Sequence, residues 1–227
     1  MTYLRSHWQL LALMLAVIAL WQTPVVLPLK ILVVFLHELS HALAAWLTGG
    51  SVEQISISAQ QGGFAVTRGG NLFAILSAGY LGSLLLGVAL LMIALRSEAD
   101  RMVVALLGAV MLAVVVFYVR DVFAAIFCSV TGAVLLGCAR FLGHSVNDMV
   151  LRVIGLSSLI YVPYDIYDDT IARRGVQSDA HMLADAFGGT AQVWGFVWLV
   201  LSIGVILWCA MRVVGTSSNI DWTHLRQ

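Results

Sequence analysis

Long apolar runs separated by short polar breaks dominate the chain. The runs cover about 8–22, 29–47, 72–95, 102–119, 122–142, 149–170 and 192–214. Most are close to the ~20 apolar residues a helix needs to cross a bilayer core. The pattern predicts an all-α integral membrane protein, one polytopic domain spanning residues 1–227, with six to seven transmembrane helices. Seven follow if every run is a helix of its own; six follow if the fourth and fifth form one hairpin unit. Thr23-Pro24 breaks the first run. Pro28 opens the second, where a first-turn proline is tolerated. Gly49-Gly50 end it.

Between the second and third runs the period changes from helical to alternating. Val52, Ile55 and Ile57 are interleaved with Glu53, Ser56 and Ser58. Gln60-Gln61-Gly62-Gly63 reads as a turn, and Phe64-Ala65-Val66-Thr67 as a returning strand. A small β-hairpin is therefore expected directly after the second helix. Its exposed edge is suited to pair with an extended peptide.

The second run, LKILVVFLHELSHALAAWL, carries His37, Glu38 and His41 near its middle. Ionisable groups inside a membrane helix are costly and mark function by default. His37 and His41 are four residues apart, so they stack on one helix face. Two imidazoles so placed can hold one zinc ion, and Glu38 beside them can accept a proton from an attacking water. This is the HExxH pattern of zinc metallopeptidases.

Composition supports the membrane reading. Of 227 residues, 61% are hydrophobic and 11% charged, and mean hydropathy is +0.96, outside the range of soluble domains. Twelve Lys and Arg balance twelve Asp and Glu, which gives no sign of a nucleic-acid partner. Cys128, Cys138 and Cys209 lie in apolar segments without metal-site spacing and imply no disulfide framework. The N-terminal run lacks a clear small-residue cleavage site and reads as a first span.

Catalytic zinc takes three protein ligands as a rule, and the motif supplies two. The sixth run ends in a second acidic group, where Asp165, Asp168 and Asp169 share a face. At 1.5 Å per residue, His37 and His41 lie about 12 and 18 Å beyond Leu29. Asp165 lies about 18 Å and Asp169 about 24 Å beyond Val153. The second and sixth runs point the same way, so depth favours Asp165 as the third ligand. Asp168 and Asp169 are alternatives, or residues that orient ligands from behind. Asp179 is a further alternative, in a loop with His181 and Asp185 that reads as a short amphipathic helix capped by Ser178. His181 is expected on a solvated face. Ser40, Ser77 and Ser83 are expected to line a polar cleft that brings water to the site.

These segments resemble the site-2 protease group of intramembrane zinc metallopeptidases, more closely its compact Peptidase M50B-like branch. FLHELSHALAAWLTGG, VEQISIS, SAGYLGSLLLG and YDIYDDTIARRGVQSDA carry the resemblance, in order, over about half of the chain. It implies Zn2+ held by His37, His41 and, most simply, Asp165, with Glu38 as general base. It also implies a membrane-embedded peptide or protein as substrate. The chain departs from the group at Gly79-Tyr80 and Ser83, where a Gly-Pro and a following Asn are usual. It departs again at Tyr164-Asp165-Ile166, in place of Leu-Asp-Gly. Two other readings stand beside the protease. One is a transporter or channel binding an ion at mid-membrane, which would spread charges over several spans. The other is an inactive scaffold that keeps the zinc site.

Overall fold

The computed structural model describes residues 2–172, 178–214 and 217–220. Eight α-helices and one hairpin follow in order: α1 (Thr2–Ala19), α2 (Leu27–Leu47), β1 (Ser51–Ile57), β2 (Gly63–Arg68), α3 (Leu72–Arg96), α4 (Asp100–Phe117), α5 (Val122–Phe141), α6 (His144–Tyr167), α7 (Asp179–Phe187) and α8 (Ala191–Val214). A π-helical turn, Asp168–Ala172, extends α6. Residues 173–177 of the expected loop and the tail beyond 220 lie outside the described residues.

Among the described residues, six helices are long and apolar enough to cross a membrane: α2, α3, α4, α5, α6 with its π turn, and α8. The count of six arises because only Leu4–Ala19 of α1 is a described apolar helix and falls short of a span, while α4 and α5 qualify separately. Contacts at its ends show how α1 runs. Ser218 N donates to Ser6 O at 2.9 Å, and Arg96 at the end of α3 donates to Arg212 O at the end of α8. The start of α1 thus lies at the end of the bundle where α3 and α8 finish. Helix α2 also starts toward that end, because its C-terminus joins the N-terminus of α3 through the hairpin. Helices α1 and α2 therefore run the same way, linked by the bend at 20–26.

Local chemistry sets the boundaries near the site. Pro28 sits in the first turn of α2. Gly49 ends that helix with φ +84°, a conformation glycine adopts without strain. Asn71 caps α3 by accepting from Ala74 N at 3.0 Å, and Asp121 caps α5 by accepting from Ala124 N at 2.8 Å. Pro163 lies inside α6, shortly before the helix relaxes into its π turn. Proline removes a backbone donor there, and single π turns often mark functional positions.

The antiparallel hairpin pairs Ile55 with Ala65 and Ile57 with Gly63, with a bulge between Val52 and Gln54. It is fixed from one side. Ile55 and Ile57 are buried, Ile55 N donates to Tyr118 O at 3.1 Å, and Ser56 Oγ donates to Asp121 Oδ2 at 2.7 Å. Asp121 thus caps α5 with one oxygen and holds β1 with the other. Strand β2 forms the other side of the hairpin and is mostly exposed.

At the opposite end, Arg152 is buried and grips Asp148 through two bonds of 2.5 and 2.9 Å. It also donates to Ser218 O, whose hydroxyl meets His7 Nδ1 at 2.8 Å. A buried arginine is tolerated when its donors are paired in this way.

Candidate metal centre

His37 and His41 project from α2 at one helical turn's spacing, and both present Nε2 to the same oxygen. Asp179 Oδ2 lies 3.0 Å from His37 Nε2 and 3.2 Å from His41 Nε2. The three ligand atoms fall within 4.8 Å of one another. Ligands around a tetrahedral zinc at 2.0–2.1 Å stand about 3.3 Å apart, which the two separations from Asp179 Oδ2 match. His41 Nδ1 donates to Ile75 O at 2.7 Å, which leaves its Nε2 lone pair free for a metal. Burial alone would push the Asp179 carboxyl up. The His41 and His37 imidazoles against it outweigh that and hold it well below the usual carboxylate range. An anionic carboxylate and two imidazoles form the donor set of many hydrolytic zinc sites.

The carboxylate of this cluster therefore comes from α7, not from a membrane span. Asp165, expected from depth, lines the same cavity from α6, but it is not a member of the cluster that closes on the two imidazoles. Depth sets Asp165 level with the site and carries no knowledge of α7, which packs against α3 and α8 and extends the Asp179 carboxylate from its first turn to the imidazoles of α2. Asp169 also lines the cavity and accepts from Tyr80 Oη at 2.7 Å. Asp168 opens the π turn and is not among the cavity residues. His181 is half-buried and its Nδ1 lies 3.0 Å from Ser178 Oγ. Asp185 is exposed.

The cavity measures about 380 Å³ and is bounded by α2, the hairpin, α3, the end of α6 and the start of α7. Glu38 lines it and is 4% exposed. Its carboxylate lies against the first residue of β2: a Cβ at Gly63 would stand 2.6 Å from Glu38 Oε1. Gly79 on α3 is equally constrained. A Cβ there would fall 2.3 Å from His37 Nε2 and 2.5 Å from His41 Nε2. Two glycines thus open the space in front of the base and of the ligands. The sequence marked Gly79 only through the Gly79-Tyr80 departure from the site-2 protease pattern, and Gly63 only as part of a turn.

The serine-lined cleft is not formed. Ser40 Oγ donates back to Leu36 O at 2.6 Å, Ser83 Oγ to Gly79 O at 2.7 Å, and Ser77 Oγ is buried without a hydrogen bond among the described residues. Serines in apolar helices bond the preceding turn when no other acceptor is near. The polar lining comes instead from Gln60, Gln61 and Thr67 of the hairpin, and from Ser178.

Residues 10–209 match the model of the Peptidase M50B-like family. The chain belongs to that family. The match takes in α2, the hairpin, the end of α6 and α7, so the whole cavity lies within the family's region. No curated protein and no solved structure matches the chain. Six membrane-crossing helices and membership of a membrane-peptidase family together make this M50B-like chain a multi-pass membrane protein.

Proposed function

We propose that this M50B-like protein is an intramembrane zinc metallopeptidase that hydrolyses peptide bonds of membrane-embedded substrates. The observation that carries the reading is the convergence of His37, His41 and Asp179 beside Glu38 in one cavity. His37, Glu38 and His41 of α2, Asp165 and the neighbouring Asp169, and Asp179 of α7 all line this one cavity, which supports a peptidase over a transporter.

His37, His41 and Asp179 would hold the zinc, which when bound would supply polarisation of the scissile carbonyl and a lowered pKa of water. Glu38 accepts the proton of the attacking water on a carboxylate oxygen and returns it to the departing amine. Strand β2 supplies the substrate track. Among the described residues its backbone bonds only to β1, and Gly63, Phe64 and Ala65 line the cavity. An extended peptide paired along that edge passes Glu38 at Gly63. Helical membrane substrates must unwind to pair in this way, since a helix has no free backbone groups to offer an edge.

The test is reconstitution of the full chain with a labelled single-span peptide in liposomes. Wild type should cleave it, a zinc chelator should stop cleavage, and Glu38→Gln should abolish cleavage while keeping zinc. Undiminished cleavage by Glu38→Gln would remove Glu38 from its role.

A further inference from the structure

The two imidazoles are held in different ways. His41 is oriented by the hydrogen bond from Nδ1 to Ile75 O. No hydrogen bond to His37 Nδ1 is found among the described residues; the bond of His37 runs through Nε2 to Asp179. Metal-binding imidazoles are normally fixed by a partner on the second ring nitrogen, and loss of that partner weakens metal binding by about 10–100-fold. Among the described residues, the rest of the His37 ring is held by packing.

Its neighbours are aromatic. The Tyr80 ring stands edge-on to His37, with centroids 4.7 Å apart and planes at 87°. Such pairs have a preferred geometry beyond simple burial. Tyr80 is 1% exposed and is held at both ends. Its hydroxyl donates to Asp169 Oδ2 at 2.7 Å, and its ring packs against Trp198 of α8 at 5.1 Å. A ring fixed by one hydrogen bond and one aromatic neighbour cannot swing away from His37. Gly79, the residue before it, brings this turn of α3 against both imidazoles.

We infer that Tyr80, anchored by Asp169, is the positioning residue of His37 and holds the ring of this ligand by edge-on packing. The inference rests on the metal-centre reading above. It also assigns Asp169 a role other than ligation: the π turn after α6 carries the anchor. Tyr80 acts through packing, so its effect must appear in metal binding before any substrate is added.

The experiment uses the full chain in detergent, with zinc affinity from chelator competition and the visible absorption of the cobalt(II)-substituted protein. Tyr80→Leu removes ring and anchor together. It should weaken zinc about 10–100-fold and alter the cobalt bands. Tyr80→Phe keeps the ring and loses the anchor; its loss should be smaller, below about tenfold. Asp169→Ala removes the same bond from its other side and should weaken zinc at least as much as Tyr80→Phe. Wild-type zinc affinity and an unchanged cobalt spectrum in Tyr80→Leu would overturn the inference, even with a lower melting temperature, because a purely structural tyrosine behaves so. Should Tyr80→Leu not fold, an unchanged affinity and spectrum in both Tyr80→Phe and Asp169→Ala would overturn it equally. A wild-type chain that takes up no zinc overturns the metal-centre reading itself, so the two failures are distinct.

Discussion

Adding one methyl group at Gly79 should separate metal binding from folding. In Gly79→Ala the new Cβ would stand 2.3 Å from His37 Nε2 and 2.5 Å from His41 Nε2. Ordinary contact begins near 3.5 Å, so the imidazoles and α3 must part by about 1 Å. Zinc–ligand distances tolerate only about 0.2 Å. The substitution should therefore lower zinc affinity by at least about 100-fold, or about 2.8 kcal/mol. The helix itself responds in the opposite sense, since alanine is favoured over glycine in a helix interior by up to about 1 kcal/mol. Without metal the imidazoles can rotate away, so the metal-free variant should melt close to the metal-free wild type. Zinc competition titration and thermal melting, with and without zinc, read the two effects apart. Wild-type zinc affinity in Gly79→Ala would refute the placement of α3 against the ligand nitrogens.

The remaining predictions concern the base, the carboxylate and the hairpin. Asp179→Asn should weaken zinc by about 100-fold or more, while Asp165→Asn stays close to wild type; chelator competition on both variants decides. Gly63→Ala places a Cβ 2.6 Å from Glu38 Oε1, so cleavage should fall at least about tenfold with zinc content unchanged. Asp121→Ala removes the cap of α5 and the bond to Ser56; it should lower stability by about 1–2 kcal/mol, seen as earlier melting in detergent.

Much of this architecture was legible because a bilayer constrains sequence strongly. Only helices and closed barrels satisfy their backbone in hydrocarbon, so apolar runs bounded by Pro28, Gly49-Gly50 and Asp121 marked the helices nearly at their observed ends. The hairpin was legible for a similar reason, as the alternation of Val52, Ile55 and Ile57 has no helical reading. The short α1 was less legible. Its apolar run resembles a span, and only the contacts of its first turns with Ser218 and Asn219 reveal its direction. His37, Glu38 and His41 declared themselves by spacing. Asp179 did so weakly, because axial depth is a useful coordinate only for residues on regular spans. Its signal was an acidic residue opening a short amphipathic helix after Ser178, one alternative among several. Tyr80 stood out only as the residue in place of a usual proline, and its contact with His37 was not legible, since an aromatic residue in an apolar helix reads as packing.

X-ray absorption at the zinc edge of the purified wild-type chain tests the central claim most directly. About one zinc per chain is predicted, with two nitrogen ligands at about 2.0–2.1 Å, a carboxylate oxygen at about 2.0–2.2 Å and a remaining light-atom position. The shell should lose its carboxylate oxygen in Asp179→Asn and keep it in Asp165→Asn. A chain without zinc, or a zinc shell containing sulfur or no imidazole, would contradict the account.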